Sequence, residues 1–320
     1  MKQQRAFVRD AAIVARALGR HLARSRSRGG AVIRQAPMER IVGELELDRF
    51  AARGGLTGGA LRRWVRRYLS HATRLHHPAY MAHQVAVPHP SGALASMIDG
   101  FTNNAAAIYE MGPAVATIEA FVVDWLIRKV GWQPAPWRPV AGAHGGGASG
   151  VLTDGGSLAN LTALIAARTR VAPRVWDDGS PGDLAVLAPE GSHYSVARAA
   201  GILGLGAKAV YRLETDGRGV IRVDRVAAAH DRLKADGRRA IALVANACST
   251  AVGCYDPLRE LGELCRERGL WLHVDGAHGA SALLSPKHRG RLGVIKEFHV
   301  LPSKPHRRTR RALNREDLHY

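Results

Sequence analysis

Past residue 150 the apolar positions fall into short continuous runs that alternate with stretches of helical periodicity. Runs at 151–153, 184–188, 207–213, 241–246 and 270–275 predict strands, and the segments after Ser157 and at 194–203, 223–235 and 257–268 predict helices. In the first of these helices Leu158, Leu161, Leu164 and Ile165 share one face. Strands that are apolar on every residue are covered on both faces, and connections of this length suit right-handed crossovers. The expected fold is therefore α/β with a mostly parallel sheet.

The first 75 residues lack such runs and read as helices joined by the turns Gly29-Gly30 and Gly54-Gly55. From 114 to 130 the residues Val115, Ile118, Val122, Trp125 and Leu126 recur at three- and four-residue intervals, which predicts a helix that buries one stripe. Three regions follow: a helical segment at 1–75, a large domain at 76–293 and a basic tail at 294–320.

Composition narrows the class. At 46% hydrophobic and 23% charged the 320 residues form a folded globular protein, not a disordered or collagen-like one. The net charge of +19 is concentrated at the ends: residues 1–30 and 287–320 carry +7 each, leaving +5 for the 256 residues between. Without aromatic interleaving or a recognisable motif this does not build a nucleic-acid surface. The most apolar stretch, 105–130, is interrupted by Glu110, Glu119 and Asp124, so no membrane span is expected. Three cysteines without a CxxC pair, and no secretory signal, fit a cytoplasmic protein.

Two features carry candidate chemistry. Asp275 closes an apolar strand at the edge where open α/β sheets bind ligands. Gly155-Gly156-Ser157 stands between a predicted strand and a predicted helix, where free N–H groups and the helix dipole can hold a phosphate, although a serine there is also an ordinary helix start. Two other patterns mislead. Gly145 to Gly150 matches GxGxxG but precedes a strand rather than a helix, and the spacing of His76, His77, His83 and His89 suits no common metal site.

The order of short motifs is more specific than any one of them. His77-Pro78 is followed by Glu119, Thr153-Asp154-Gly155-Gly156-Ser157-Leu158-Ala159-Asn160 and Ser192-His193-Tyr194-Ser195. Cys248-Ser249-Thr250 and Trp271-Leu272-His273-Val274-Asp275 complete the series. Over about residues 75–293 it resembles the group II pyridoxal-phosphate-dependent amino-acid decarboxylases of the glutamate, aromatic amino-acid and diaminobutyrate type. The resemblance implies an aspartate-aminotransferase-like (fold type I) large domain, pyridoxal 5'-phosphate as cofactor, an L-amino acid as substrate and a homodimer. By the same resemblance Gly155, Gly156 and Ser157 hold the phosphate, His193 stacks on one ring face, Ala277 lies under the other and Thr250 sits near the ring substituents. Asp275 then pairs with the pyridine nitrogen, keeping the ring protonated and electron-accepting, and His273 lies close to the cofactor.

The sequence also departs from the family. The Schiff-base lysine is expected about 32 residues past Asp275, where His306-Arg307 stands instead; an arginine stays protonated and cannot take that role. Cys248 and Gly276 stand where relatives carry glycine and alanine, and the C-terminal small domain has no counterpart. The expectation is decarboxylase chemistry impaired in this chain, with a noncatalytic remnant or a regulatory partner of a full-length relative as the alternative.

Overall fold

The computed structural model describes residues 1–81, 85–137 and 147–293, and the chain separates into two compact units, Met1–Asn103 and the chain from Asn104 onward. The first unit holds α1 (Lys2–Arg26), α2 (Met38–Glu44), α3 (Leu47–Arg53), α4 (Gly58–His71) and α5 (Pro90–Thr102). Helices α1 and α4 pack together, burying Ile13 and Val65. Asp10 on α1 also accepts a hydrogen bond from Gly58 N at 3.0 Å, satisfying a donor that the start of α4 leaves open. The unit extends beyond the expected boundary at residue 75 because α5 joins it: Phe101 meets Phe7 with ring centroids 4.8 Å apart. The expected tail at 294–320 lies outside the described residues.

In the second unit α6 (Pro113–Val130), α7 (Gly156–Val171) and α8 (Val175–Asp178) precede β1 (Leu184–Pro189). Then come α9 (Ser195–Ile202), β2 (Val210–Leu213), α10 (Val223–Ala235), β3 (Arg239–Asn246), α11 (Leu258–Arg268) and β4 (Leu272–Asp275). The four strands form one parallel sheet in the order β2-β1-β3-β4. Alternate residues face opposite layers. Val186, Ile241 and Val244 pack with Leu164 of α7 and Val196 of α9, whereas Leu187 and Leu243 pack with Val226 and Leu233 of α10 and Leu261 of α11. Both layers are sealed, which is why these strands read as unbroken apolar runs; each fully buried aliphatic side chain contributes roughly 1.5–3 kcal/mol.

Two expectations fail for identifiable reasons. Residues 151–153 form no strand: Val151 and Leu152 are 58% and 52% exposed, and Leu152 N donates to Glu119 Oε1 at 3.1 Å instead of to a ladder partner. In α6 the expected stripe is not buried within the described residues. Ala116 and Ile127 are its buried residues, while Ile118, Trp125 and Leu126 remain exposed. Of the GxGxxG pattern, Gly145 and Gly146 lie outside the described residues, and Ala148 bridges to Pro134 with no helix directly following Gly150. Among the histidines, His76 donates to Pro88 O, His77 and His89 accept backbone N–H groups, and His83 is outside the described residues.

Candidate cofactor site at the carboxyl end of the sheet

The site is assembled where β3 and β4 end and α7 begins. Gly155 caps α7 with φ of 88°, a left-handed conformation that favours glycine. Gly156 is required for a different reason: a Cβ there would sit 2.7 Å from the Ala277 Cβ, so the helix terminus rests directly on the chain that follows Asp275. The helix starts earlier than its apolar periodicity suggests, which puts Ser157 in the first turn, exposed, with no capping hydrogen bond from its side chain. The first N–H groups of α7 have no partner within the helix and face outward with the positive end of its dipole.

Asp275 is 8% exposed and is held on both oxygens. Asn160, one turn into α7, donates Nδ2 to Oδ2 at 2.8 Å, and Ala277 N reaches Oδ1 at 3.2 Å. The same Nδ2 donates to Ser195 Oγ at 2.9 Å, and Asn160 Oδ1 accepts from His273 Nε2 at 2.8 Å. Ser195 Oγ in turn bonds His193 Nδ1 at 2.8 Å. Since Ser195 N also points at His193 Nδ1 (3.3 Å), that nitrogen is the acceptor and the ring proton sits on Nε2. Burial pushes the His273 imidazole below its ordinary pKa, against the opposing pull of Asp275, so His273 is neutral and carries its proton on Nε2. The network thus fixes both tautomers through one amide.

The structure brings Gly155, Gly156, Ser157, Ala277, Asp275, His273 and His193 to one place. Thr250 lies in the exposed turn beyond β3, whose end is joined to β4 by Ala247 N donating to Asp275 O at 2.8 Å. Asn160 and Ser195 close two of the motif runs but carry no role in the sequence reading, although each is a polar residue on a face that packs into the core. Asn160 also follows Gly156 by one helical turn, which aims it at whatever the helix start touches. The substitution at Gly276 has a local cause: a Cβ there would meet the Ala280 Cβ at 2.6 Å.

These residues fit two ends of a phosphorylated pyridine. The glycine-lined helix start offers unpaired N–H donors, and the Asp275 oxygens, each with one partner, retain lone pairs for a ring N–H. The lysine that would carry such a cofactor is not among these groups, and Lys296, Lys304 and Arg307 lie outside the described residues.

A parallel α/β sheet with a carboxylate at a strand tip beside a glycine-lined helix start defines a protein built to bind a phosphorylated ring cofactor. The comparison with known families makes this specific: the pyridoxal-dependent decarboxylase conserved domain matches residues 60–309, and the chain belongs to that family. It is 31% identical over 238 residues to the acidic amino acid decarboxylase GADL1 of Mus musculus, covering 74% of this chain and 41% of that protein. It is 32% identical over 259 residues to the L-2,4-diaminobutyrate decarboxylase of Rhizobium meliloti (strain 1021), covering 80% and 48%. The chain therefore spans less than half the length of these curated relatives. A crystal structure of mouse CSAD in apo form shares the fold with a TM-score of 0.77 at 24% identity, over 90% of this chain and 58% of that one.

Proposed function

We propose that this chain forms the cofactor-binding half of a pyridoxal-phosphate-dependent L-amino-acid decarboxylase. The observation that carries the reading is the Asn160 bridge, which ties the helix start of α7 to the Asp275 carboxylate at 2.8 Å. Pyridoxal phosphate, when bound, supplies an electron-accepting ring conjugated to the substrate Cα. The chain's own residues would set up that ring: Gly155, Gly156 and Ser157 would bind its phosphate, and Asp275 would keep a proton on its nitrogen. Ala277 and His193 would confine its faces, and Ser195 orients the His193 imidazole with its N–H on Nε2. Acidic amino acids and 2,4-diaminobutyrate, the substrates in the names of the relatives, are the first candidates.

The Arg307 substitution favours a second reading, a chain that binds cofactor without turnover. Purified protein is mixed with pyridoxal phosphate, treated with borohydride and mapped by mass spectrometry, and carbon dioxide release from L-glutamate, L-aspartate and L-2,4-diaminobutyrate is measured. A lysine adduct with carbon dioxide release supports an active decarboxylase, saturable binding without an adduct supports the binding-only reading, and no binding overturns both. We further propose that the chain works as a homodimer in the cytoplasm. The exposed apolar residues Ile118, Phe121 and Trp125 of α6 support the dimer, and three unbridged cysteines support a reducing compartment. Nothing in the charge pattern calls for a nucleic acid, and no described helix is long and apolar enough to cross a membrane.

A further inference from the structure

At the opposite end of the sheet, where β3 and β4 begin, a cavity of about 460 Å³ is lined by His230, Lys234, Arg238, Arg239, Arg268 and Leu270, among others. Its basic groups are not equally engaged. Arg239 grips Asp183 through two nitrogens at 2.6 and 3.0 Å and donates to Val171 O at 3.2 Å. Arg268 pairs with Asp231 and lies 3.4 Å from His230 Nδ1. Lys234 and Arg238 have no carboxylate at ion-pair distance among the described residues, and the Arg238 guanidinium lies 5.8 Å from the centre of the Tyr211 ring.

The ordinary use of cations here would be to cap helices, because α7, α10 and α11 all end around this cavity. Part of this role is already filled, by Arg239 on Val171 O and by backbone N–H groups that close each helix end. Ala172 N closes on Arg168 O, Gly237 N on Lys234 O, Arg238 N on Leu233 O, Gly269 N on Arg266 O and Leu270 N on Cys265 O. Two cations are left facing a concavity of ligand size, next to a buried imidazole.

We propose that this cavity binds the pyrophosphate group of a small molecule, with Lys234 and Arg238 as its principal contacts. A group carrying two or more negative charges matches two cations outside direct ion pairs, Lys234 and Arg238 meeting Asp231 and Asp183 only at longer range, and the guanidinium can meet two of its oxygens at once. The field in the cavity is already registered by His230, whose pKa is lowered by burial and by the nearby Arg268 and Lys234 charges. A bound anion offsets those charges and raises it.

The test follows the His230 ring resonances of the full chain during titration with inorganic pyrophosphate and, separately, with ADP, and calorimetry gives affinities. The expected result is saturable one-site binding that shifts His230, raises its pKa and weakens with salt. K234Q/R238Q should weaken it about a hundredfold or more, because two charge-assisted contacts are lost together. R62Q/R66Q, which removes the same charge from exposed positions on α4, should leave it unchanged. Stronger binding of ADP would identify a nucleotide-like ligand and stronger binding of pyrophosphate an inorganic one, and either supports the site. Absent saturation, an unmoved His230, or equal weakening in the two double variants would overturn it, the last two by locating the anion at the glycine-lined helix start or in the diffuse field of a +19 chain.

Discussion

The two ends of the sheet handle polar groups in opposite ways. At the carboxyl end, Asp275, Asn160, Ser195, His193 and His273 form one continuous chain of hydrogen bonds, and Asn160, Ser195 and Asp275 are buried. Asp256, in the loop between β3 and α11, is 5% exposed and accepts from Ile221 N at 2.9 Å and Asn246 N at 2.6 Å. At the amino end the charged groups stand in separate, water-facing pairs: Arg239 with Asp183 are 47% and 36% exposed. Buried polar groups must share partners, so losing one strands several. Exposed pairs lose little, because water replaces the missing partner.

The largest effect that would sharpen this contrast is at Asp256. Asp256→Ala leaves two buried N–H groups without acceptors, and chemical denaturation should show a loss of about 3 kcal/mol. The pH dependence has a definite sign. Burial raises the Asp256 pKa above the ordinary carboxylate range despite its two N–H donors. The folded state therefore holds a proton that the unfolded state has released, and this group's contribution falls as pH rises from the ordinary range through the raised value. The stability of the native protein measured against Asp256→Asn should decline with pH across that window, and a rise would mean the carboxylate is better solvated than the structure shows.

Next in size is Asn160→Ala, which removes the partner of Asp275 Oδ2, Ser195 Oγ and His273 Nε2 in one step. Water entering the space returns part of the loss, leaving about 2 kcal/mol. Imidazole NMR should show His273 no longer held in the Nε2–H tautomer. If the tautomer persists and stability is unchanged, the carboxyl end is no more cooperative than the amino end.

Much of this end was legible because strands and helix starts have local chemistry. The apolar run into Asp275 and the Gly-Gly-Ser step each has a backbone reason to be where it is, and family order then placed His193, His273 and Ala277 beside them. What sequence did not reveal is long-range. Asn160 meets Asp275 across 115 positions, and no periodicity announces that contact. The run 151–153 misled because apolar composition alone does not supply a ladder partner. The α6 stripe misled for a related reason: its spacing is amphipathic, but the cover that periodicity implies is absent among the described residues. The basic cavity was invisible because its residues come from three separate stretches, Val171, 230–240 and 268–270, each of which reads alone as an ordinary solvated helix end or strand start.

A smaller effect tests the adjacency on which the cofactor reading depends. Gly156→Ala brings two methyl groups to 2.7 Å and should cost about 1–2 kcal/mol while weakening pyridoxal phosphate binding. Adding Ala277→Gly removes the opposing methyl and should recover most of the stability. Failure of the second change to rescue the first would separate the helix start from the Asp275 segment.

The smallest expected effect belongs to the amino end. Arg239→Ala deletes a bidentate pair with Asp183 and a bond to Val171 O, which drawn as contacts outnumber those that Asp256 makes. The arginine lowers the Asp183 pKa, chiefly by its side-chain hydrogen bond, so the pair's contribution is present above the ordinary carboxylate range and lost as pH falls through the lowered value. Both partners are more than a third exposed, so solvent screening reduces it to about 0.5 kcal/mol at neutral pH, and 1 M salt should remove most of that. A salt-insensitive loss as large as that at Asp256 would show that the amino end is organised as a buried network too, and the distinction between the two ends would fail where the contacts are most numerous.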